Sequence, residues 1–139
     1  MKDQVTSIEQ SRRLLELGVP AEKASMVWEY WINQDFSKDV PEEVFYNLNT
    51  KTNREADSCD RDIPAFTVVD LLNMLPAGIT YGRMHITRST YSKGEDWRVF
   101  YKRVGVSKGC IVSFGDCTLI QPVCDMIEWL LSDGYKLEL

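Results

Sequence analysis

The sequence predicts an α+β fold: an N-terminal helical hairpin, a short middle helix, a three-stranded antiparallel meander and a C-terminal helix packed on the sheet. Two observations predict this layout. Between residues 118 and 135, apolar residues recur at helical spacing, and Gly134 is placed to take the left-handed conformation that ends a helix. Between residues 79 and 114, segments with one apolar side alternate with glycine-containing turns. The C-terminal helix is expected to cover that apolar side.

The N-terminal hairpin is predicted from two helix starts. Ser7 and Gln10 have the spacing of a capping box, and Gly18 is placed to end the first helix. Pro20 suits the first turn of a second helix that reaches about Ile32. The residues that share one side of this second helix are Ala24, Val27, Trp28 and Trp31. A helix-turn-helix DNA-binding motif has the same outline, but the glutamates along both helices would repel phosphate.

The middle of the chain is polar and loses its periodicity between residues 33 and 62. A short strand or turn is expected over residues 40–48, and a mobile loop over about residues 47–62. Thr67 and Asp70 then repeat the capping signature and start a short helix that Pro76 ends. The length of the chain and its apolar content indicate a single domain over residues 1–139.

Three strands are predicted, at residues 79–88, 97–104 and 110–114. Side chains alternate between the two faces of a strand, so Met84 and Ile86 belong to an apolar face. The opposite face mixes aromatic and basic residues. The candidate binding residues on it are Tyr81, Arg83, His85, Arg98 and Lys102.

Two interpretations of this mixed face stay open. Exposed aromatic residues interleaved with basic residues bind single-stranded nucleic acid, because the aromatic rings stack on nucleobases and the basic side chains neutralise phosphates. The sequence lacks the aromatic consensus of an RNA-recognition motif, however, and its net charge is −5. The alternative is that the hairpin, with Trp28 and Trp31, covers the face and pairs its bases with glutamates. The sequence favours this second interpretation, because a sheet covered on both sides buries more apolar area.

The charge distribution is uneven along the chain. Residues 79–115 hold seven basic and two acidic residues, whereas the regions on either side of them are net acidic. Either the oppositely charged elements pack side by side, or a basic surface is offered to an acidic partner. We expect the first, because soluble domains ordinarily carry mixed charges on their surface.

No motif in the sequence indicates an enzyme. The four cysteines, Cys59, Cys110, Cys117 and Cys124, show no Cys-x-x-Cys spacing, so neither a metal site nor a cofactor is expected. A nucleophile at Cys117 or Cys124 would require a lowered thiol pKa. Glycine-rich phosphate loops and nucleophile elbows are absent from the sequence. We therefore assign no catalytic residue.

The sequence also bears on compartment. No apolar run approaches the roughly 18 residues of a membrane span, and the polar start does not resemble a signal peptide. Cysteines in such a chain are expected to be reduced thiols. These observations favour the cytoplasm and argue against a membrane partner.

Three stretches, residues 10–18, 63–76 and 125–135, carry a family resemblance. Their patterns are Gln-Ser-x-x-Leu-x-x-Leu-Gly, Pro-x-x-Thr-x-x-x-Leu-Leu and Trp-Leu-Leu-x-x-Gly-Tyr. The chain thereby resembles small uncharacterised proteins carried by prophages and mobile elements of Bacteroides-type gut bacteria. The resemblance implies a genomic setting and no activity, cofactor or catalytic residue. The middle stretch, residues 33–62, departs most from the group.

Together, these observations favour a non-enzymatic accessory protein of a phage or mobile element that binds a protein partner. The alternative function is a nucleic-acid-associated module that uses the basic aromatic sheet face.

Overall fold

The computed structural model describes residues 4–33, 43–51, 61–80, 82–88, 96–105 and 109–139. Within these ranges the chain is α+β, with three α-helices, a short 3-10 turn at Ala21–Lys23 and two antiparallel sheets. The helices are α1 (Ile8–Glu16), α2 (Val68–Met74) and α3 (Ile120–Ser132). The N-terminal sheet, ordered β2-β1-β3, contains β1 (Met26–Asn33), β2 (Glu43–Thr50) and β3 (Ile63–Ala65). The C-terminal sheet, ordered β4-β5-β6-β7, contains β4 (Gly78–Ile79), β5 (Gly82–Arg88), β6 (Trp97–Arg103) and β7 (Cys110–Asp116).

None of the described helices is long and apolar enough to cross a membrane.

The predicted N-terminal helical hairpin is wrong. Its first helix forms as α1, where the Gln10 amide donates to Ser7 Oγ at 3.1 Å and the Ser7 amide donates to Gln10 Oε1 at 2.8 Å. The second predicted helix is instead strand β1, which pairs with β2 along its whole length and with β3 at its start. Tryptophan, tyrosine, valine and isoleucine fill β1, and these residues favour a pleated strand. Two pairing partners therefore outweigh the helical spacing of its apolar residues.

The predicted three-stranded meander is also wrong, because the first predicted strand is two strands. The chain turns back after Ile79, and β4 pairs with the start of β5 through Gly78 with Arg83 and Ile79 with Gly82. A side chain at Gly78 would lie 3.1 Å from the Gly82 carbonyl oxygen, so this close approach of two strands favours glycine. The resulting C-terminal sheet has four strands.

Part of the central polar stretch is ordered by the N-terminal sheet. Residues 47–50 of the predicted 47–62 loop lie in β2, whereas residues 52–60 lie outside the described residues. At the far end of that stretch, Asp62 Oδ1 accepts a hydrogen bond of 2.8 Å from the Tyr30 amide. The Arg61 guanidinium lies over the Tyr30 ring, 5.1 Å from its centroid. The return to β3 is thus fixed against β1.

Helix α3 covers one face of the C-terminal sheet and contacts β6 and β7. Val99 and Tyr101 of β6 are fully buried on this face. The residues of α3 that are fully buried in the same core are Val123, Met126, Ile127 and Leu130. Gly134 follows the helix with a φ of 82°, the left-handed conformation expected there. We call this side of the sheet the covered face.

A buried hydrogen-bond cluster joins α1 to the N-terminal sheet. The hydroxyl groups of Thr6 and Ser11, both completely buried, lie 2.7 Å apart. The Phe66 amide donates to Thr6 Oγ1 at 2.9 Å, and Trp28 Nε1 donates to the Thr6 carbonyl at 2.9 Å. Because each buried polar group has a partner, the cluster fixes α1 and β1 without an unsatisfied donor.

Asp70 plays a similar part for α2. Its carboxylate accepts hydrogen bonds from the Thr67 amide at 2.8 Å, the Ser25 amide at 2.9 Å and the Ser25 hydroxyl. Partial burial acts to raise the pKa of Asp70, but the hydrogen bonds from Ser25 and Thr67 outweigh it and hold the pKa below its ordinary value. The capping box predicted at Thr67 and Asp70 is thereby confirmed, and it also ties β1 to α2.

We expect Tyr101→Phe to destabilise the fold by about 1–2 kcal/mol near neutral pH. The buried Tyr101 hydroxyl donates to the Pro76 carbonyl at 2.7 Å, and its removal leaves a buried acceptor unsatisfied. Urea unfolding measures the change. The matched control is Tyr135→Phe, which keeps the stacking of that ring on Trp129 and is expected to change stability by less than about 0.5 kcal/mol. An equal effect of both substitutions would contradict the assignment.

We also expect the natural protein and Tyr101→Phe to differ in how their stability responds to alkaline pH. Burial, and secondarily the charge of Glu138, raise the pKa of Tyr101 to about 12. Between pH 10 and 12 the unfolded tyrosine ionises while the folded one keeps its proton, so the free energy of unfolding falls as the pH rises. The advantage of the natural protein over Tyr101→Phe should shrink between pH 8 and pH 11. A constant difference in urea unfolding at the two pH values would show that Tyr101 is not the group responsible.

Candidate nucleic-acid interface

The strand register places the basic residues of the predicted site on the side of the C-terminal sheet opposite α3. Across β5 and β6, Arg83 pairs with Lys102, His85 with Phe100 and Thr87 with Arg98. Cross-strand partners point to the same side, and Ser113 of β7 joins them because it pairs with Phe100. We call this surface the open face. Its residues are Arg83, His85, Thr87, Arg98, Phe100, Lys102 and Ser113.

None of the described N-terminal elements packs on the open face, so the expected cover by a helical hairpin is wrong. Arg83, His85 and Arg98 are exposed, and Phe100 and Lys102 are half-buried. The tryptophans expected over this face lie in β1 instead. There Trp28 Nε1 donates to the Thr6 carbonyl, and Trp31 is 44% exposed.

Two shallow clefts of about 400 Å³ each cross the open face. The Phe100 cleft is lined by Arg98, Phe100, Lys102, Cys110 and Ser113, among others. The His85 cleft is lined by Arg83, His85, Lys102 and Arg103, together with the Val104–Gly105 turn. Lys102 belongs to both clefts. The two clefts are therefore neighbouring parts of one surface.

The rings of His85 and Phe100 are stacked on each other. Their centroids lie 5.3 Å apart and their planes differ by 13°. Each ring lines a different cleft, so the stacked pair stands between the two. Phe100 lines one cleft and His85 lines the other, so each ring of the pair borders open space.

The charged side chains at the described positions of the open face are all basic. Arg83, Arg98 and Lys102 supply cations, and Arg103 adds another at the rim. Among the described positions of this face there is no aspartate or glutamate. Although the whole chain has a net charge of −5, this surface concentrates positive potential and attracts anions.

Most of the sequence-predicted site comes together in the structure. Arg83, His85, Arg98 and Lys102 share the open face, whereas Tyr81 lies outside the described residues. The predicted site omits Phe100, which stacks on His85. The alternation along β6 is the signal that indicates it, because Phe100 lies between Arg98 and Lys102 on the same side of the strand.

The cysteines do not assemble a catalytic site in the described residues. Cys124 is buried, and this burial, together with the negative charge of Asp125, raises the pKa of its thiol to about 12. A nucleophilic thiol requires a lowered pKa, so a raised pKa does not favour a nucleophile at Cys124. Cys110 and Cys117 are exposed. No group of three or more His, Cys, Asp or Glu side chains in the described ranges is arranged to hold a metal ion.

A smaller cavity of about 210 Å³ lies between α1 and α3. A chain of hydrogen bonds crosses it, from Gln10 Nε2 to Gln121 Oε1 at 2.6 Å and from Gln121 Nε2 to Asp125 Oδ1 at 2.9 Å. Arg13 of α1 forms an ion pair with Glu128 of α3 at its edge. Burial raises the pKa of Asp125, and the nearby Glu128 and Asp116 add to this effect. These polar groups bind one another and fasten the two helices.

Comparison of the chain with known protein families, with curated proteins and with solved structures finds no match to any of them.

Proposed function

We propose that this protein binds nucleic acid through the open face of its C-terminal sheet. One observation carries the proposal: an uncovered sheet face presents Arg83, Arg98 and Lys102 around a pair of stacked rings. Cations on such a face neutralise phosphates, and aromatic rings stack on bases. The same surface lacks acidic residues at its described positions, so an anionic polymer would meet no repulsion there.

The architecture supports the proposal in a second way. A sheet with helices on one side and a polar aromatic surface on the other leaves its strands free to support a ligand across several residues. Here α3 occupies the covered face, and β5, β6 and β7 all contribute side chains to the open face. The ligand surface is therefore built on rigid strands, which position side chains more accurately than loops do.

We expect the double variant Arg83→Gln, Arg98→Gln to weaken binding to a fluorescein-labelled 20-nucleotide single strand by at least about tenfold at low salt. For a single strand, each lost phosphate contact reduces the slope of log affinity against log salt concentration by roughly 0.7. Fluorescence anisotropy over a salt series measures both quantities. The slope should therefore become shallower by roughly 1.4 if each arginine contacts one phosphate.

The matched control for charge is the double variant Arg12→Gln, Lys136→Gln. It removes two exposed cations that lie outside the open face. It should leave the affinity and the salt slope within about twofold of the natural protein if the open face carries the binding. Equal losses in both double variants would mean that binding is a nonspecific effect of charge. No binding of the natural protein at low salt would overturn the proposed function.

A second candidate function is protein binding at the end of the β1–β2 ribbon, in keeping with an accessory protein of a mobile element. Four large apolar side chains are between 42% and 52% exposed there. We call them the ribbon end: Trp31, Ile32, Val44 and Phe45. Cross-strand pairing of Trp31 with Phe45 and of Ile32 with Val44 places two on each face. Exposed apolar side chains grouped in this way are typical of protein interaction sites.

We expect Val44→Thr, Phe45→Thr to abolish capture of any protein partner that uses the ribbon end. Threonine keeps the strand preference of β2 and removes apolar contact area. The test compares natural and variant proteins in pull-downs from nuclease-treated extract, followed by calorimetry with the purified partner, where at least about a tenfold weaker affinity is expected. Val69→Thr, an exposed apolar position on α2, is the control. A partner that binds all three proteins equally would exclude the ribbon end.

A further inference from the structure

We propose that the open face selects unpaired strands, and that the His85–Phe100 pair accepts one base on each of its two outer ring faces. This inference rests on the proposed function. It adds that the ligand is single-stranded and that two of its bases stack on the ring pair. Charge complementarity and the geometry of the two clefts support this occupant.

The ring pair has two outer faces that lead into different clefts. Phe100 lines the cleft on the β7 side, next to Ser113, and His85 lines the cleft on the β5 side, next to Arg83. Both clefts are open and shallow, so a flat base enters each without displacing a side chain that packs in the core. The small side chain of Ser113 and the glycine at position 109 leave room beside Phe100.

The cations are arranged around these two base positions. Lys102 lines both clefts, so it reaches the phosphates of the segment that joins the two bases. Arg98 lies in the Phe100 cleft, four residues before Lys102 along β6, and Arg83 lies in the His85 cleft, directly across from Lys102 on β5. Residues four apart in a strand are separated by roughly 13 Å. The bound nucleic acid therefore runs from Arg98, past the ring pair, to Lys102 and Arg83.

Stacking of bases on both outer ring faces excludes an intact duplex, because each base inside a duplex already has both of its faces covered by neighbouring bases. Two rings, 5.3 Å apart, would stand between the bound bases. Adding one stacking interval of about 5 Å on each side separates the two bases by roughly 15 Å. Consecutive bases in a duplex strand are stacked about 3.4 Å apart. A strand that serves both ring faces must be unstacked between them, and only an unpaired strand does this without breaking base pairs.

The test uses three fluorescein-labelled probes of one 12-nucleotide length: a single strand, the same sequence as a blunt duplex, and an abasic strand that keeps the phosphates but lacks bases. The single strand is prepared both as DNA and as RNA, which identifies the source of the ligand. Anisotropy at a fixed low salt concentration gives the affinities. The natural protein should bind the single strand at least about tenfold more tightly than either of the other two probes.

The variants separate stacking from charge. Phe100→Leu and His85→Gln each remove one ring and no arginine or lysine, and each should weaken single-strand binding about tenfold, since one stacked base is worth roughly 1–3 kcal/mol. Binding to the abasic strand should change by less than about twofold. Arg83→Gln, Arg98→Gln should weaken both. His85 is exposed, so His85→Gln tests the inference even if the half-buried Phe100 is needed for folding.

A footprint on Cys110 provides a second readout that needs no variant. Cys110 is exposed and lines the Phe100 cleft, whereas Cys117 is exposed outside both clefts. Saturating single strand should slow the alkylation of Cys110 by iodoacetamide, measured by mass spectrometry of peptides, and leave Cys117 unchanged. Equal rates at Cys110 with and without the strand would place the bound strand elsewhere and overturn the inference.

Two further outcomes distinguish this inference from the proposed function. If duplex and single strand bind equally, or if both ring variants bind like the natural protein while the arginine variant does not, the stacking inference fails and the open face is a charge-driven site. If none of the probes binds at low salt, the proposed function itself fails.

Discussion

The rest of the structure depends on the packing of α3 against the covered face of the C-terminal sheet. Val99 and Tyr101 are fully buried there against the apolar side of α3, and α1 and α2 also contact that helix. These side chains belong to one buried core cluster with residues of α1 and α2, and burial of apolar area stabilises the fold. The Tyr101 hydroxyl extends the junction to the Pro76 carbonyl, just before β4. The three helices, the C-terminal sheet and the turn into β4 thus meet at one contact surface.

This arrangement decides what the other side of the sheet is available for. The helices gather on the covered face, and the N-terminal residues expected to form a second layer are committed to a sheet of their own. Two acidic residues of the helices are also engaged, because Arg13 of α1 pairs with Glu16 and with Glu128 of α3. The basic residues of β5 and β6 are consequently presented on a surface that no described helix covers.

The sequence was sufficient where local chemistry decides the structure. The capping pairs at Ser7 and Thr67, the left-handed Gly134 and the alternation along β5 and β6 all depend on near neighbours. It failed for β1, where the helical spacing of the apolar residues competes with their preference for strands, because pairing with β2 and β3 decides between the two. Because β1 was predicted as a helix, Trp28 and Trp31 were expected over the basic face. The prediction that this face is covered failed for the same reason.

In the candidate site, too, the sequence predicts what depends on near neighbours and misses what depends on pairing between strands. Alternation along two strands was enough to put Arg83, His85, Arg98 and Lys102 on one side, but not to show that this side is open. It also gave no sign that His85 and Phe100 stack, because that contact depends on the register between β5 and β6. A shift of one residue in this register would send one ring to the covered face. Both the stacked pair and the grouping of cations around it therefore depend on that register, which the covered face fixes through the burial of Val99 and Tyr101.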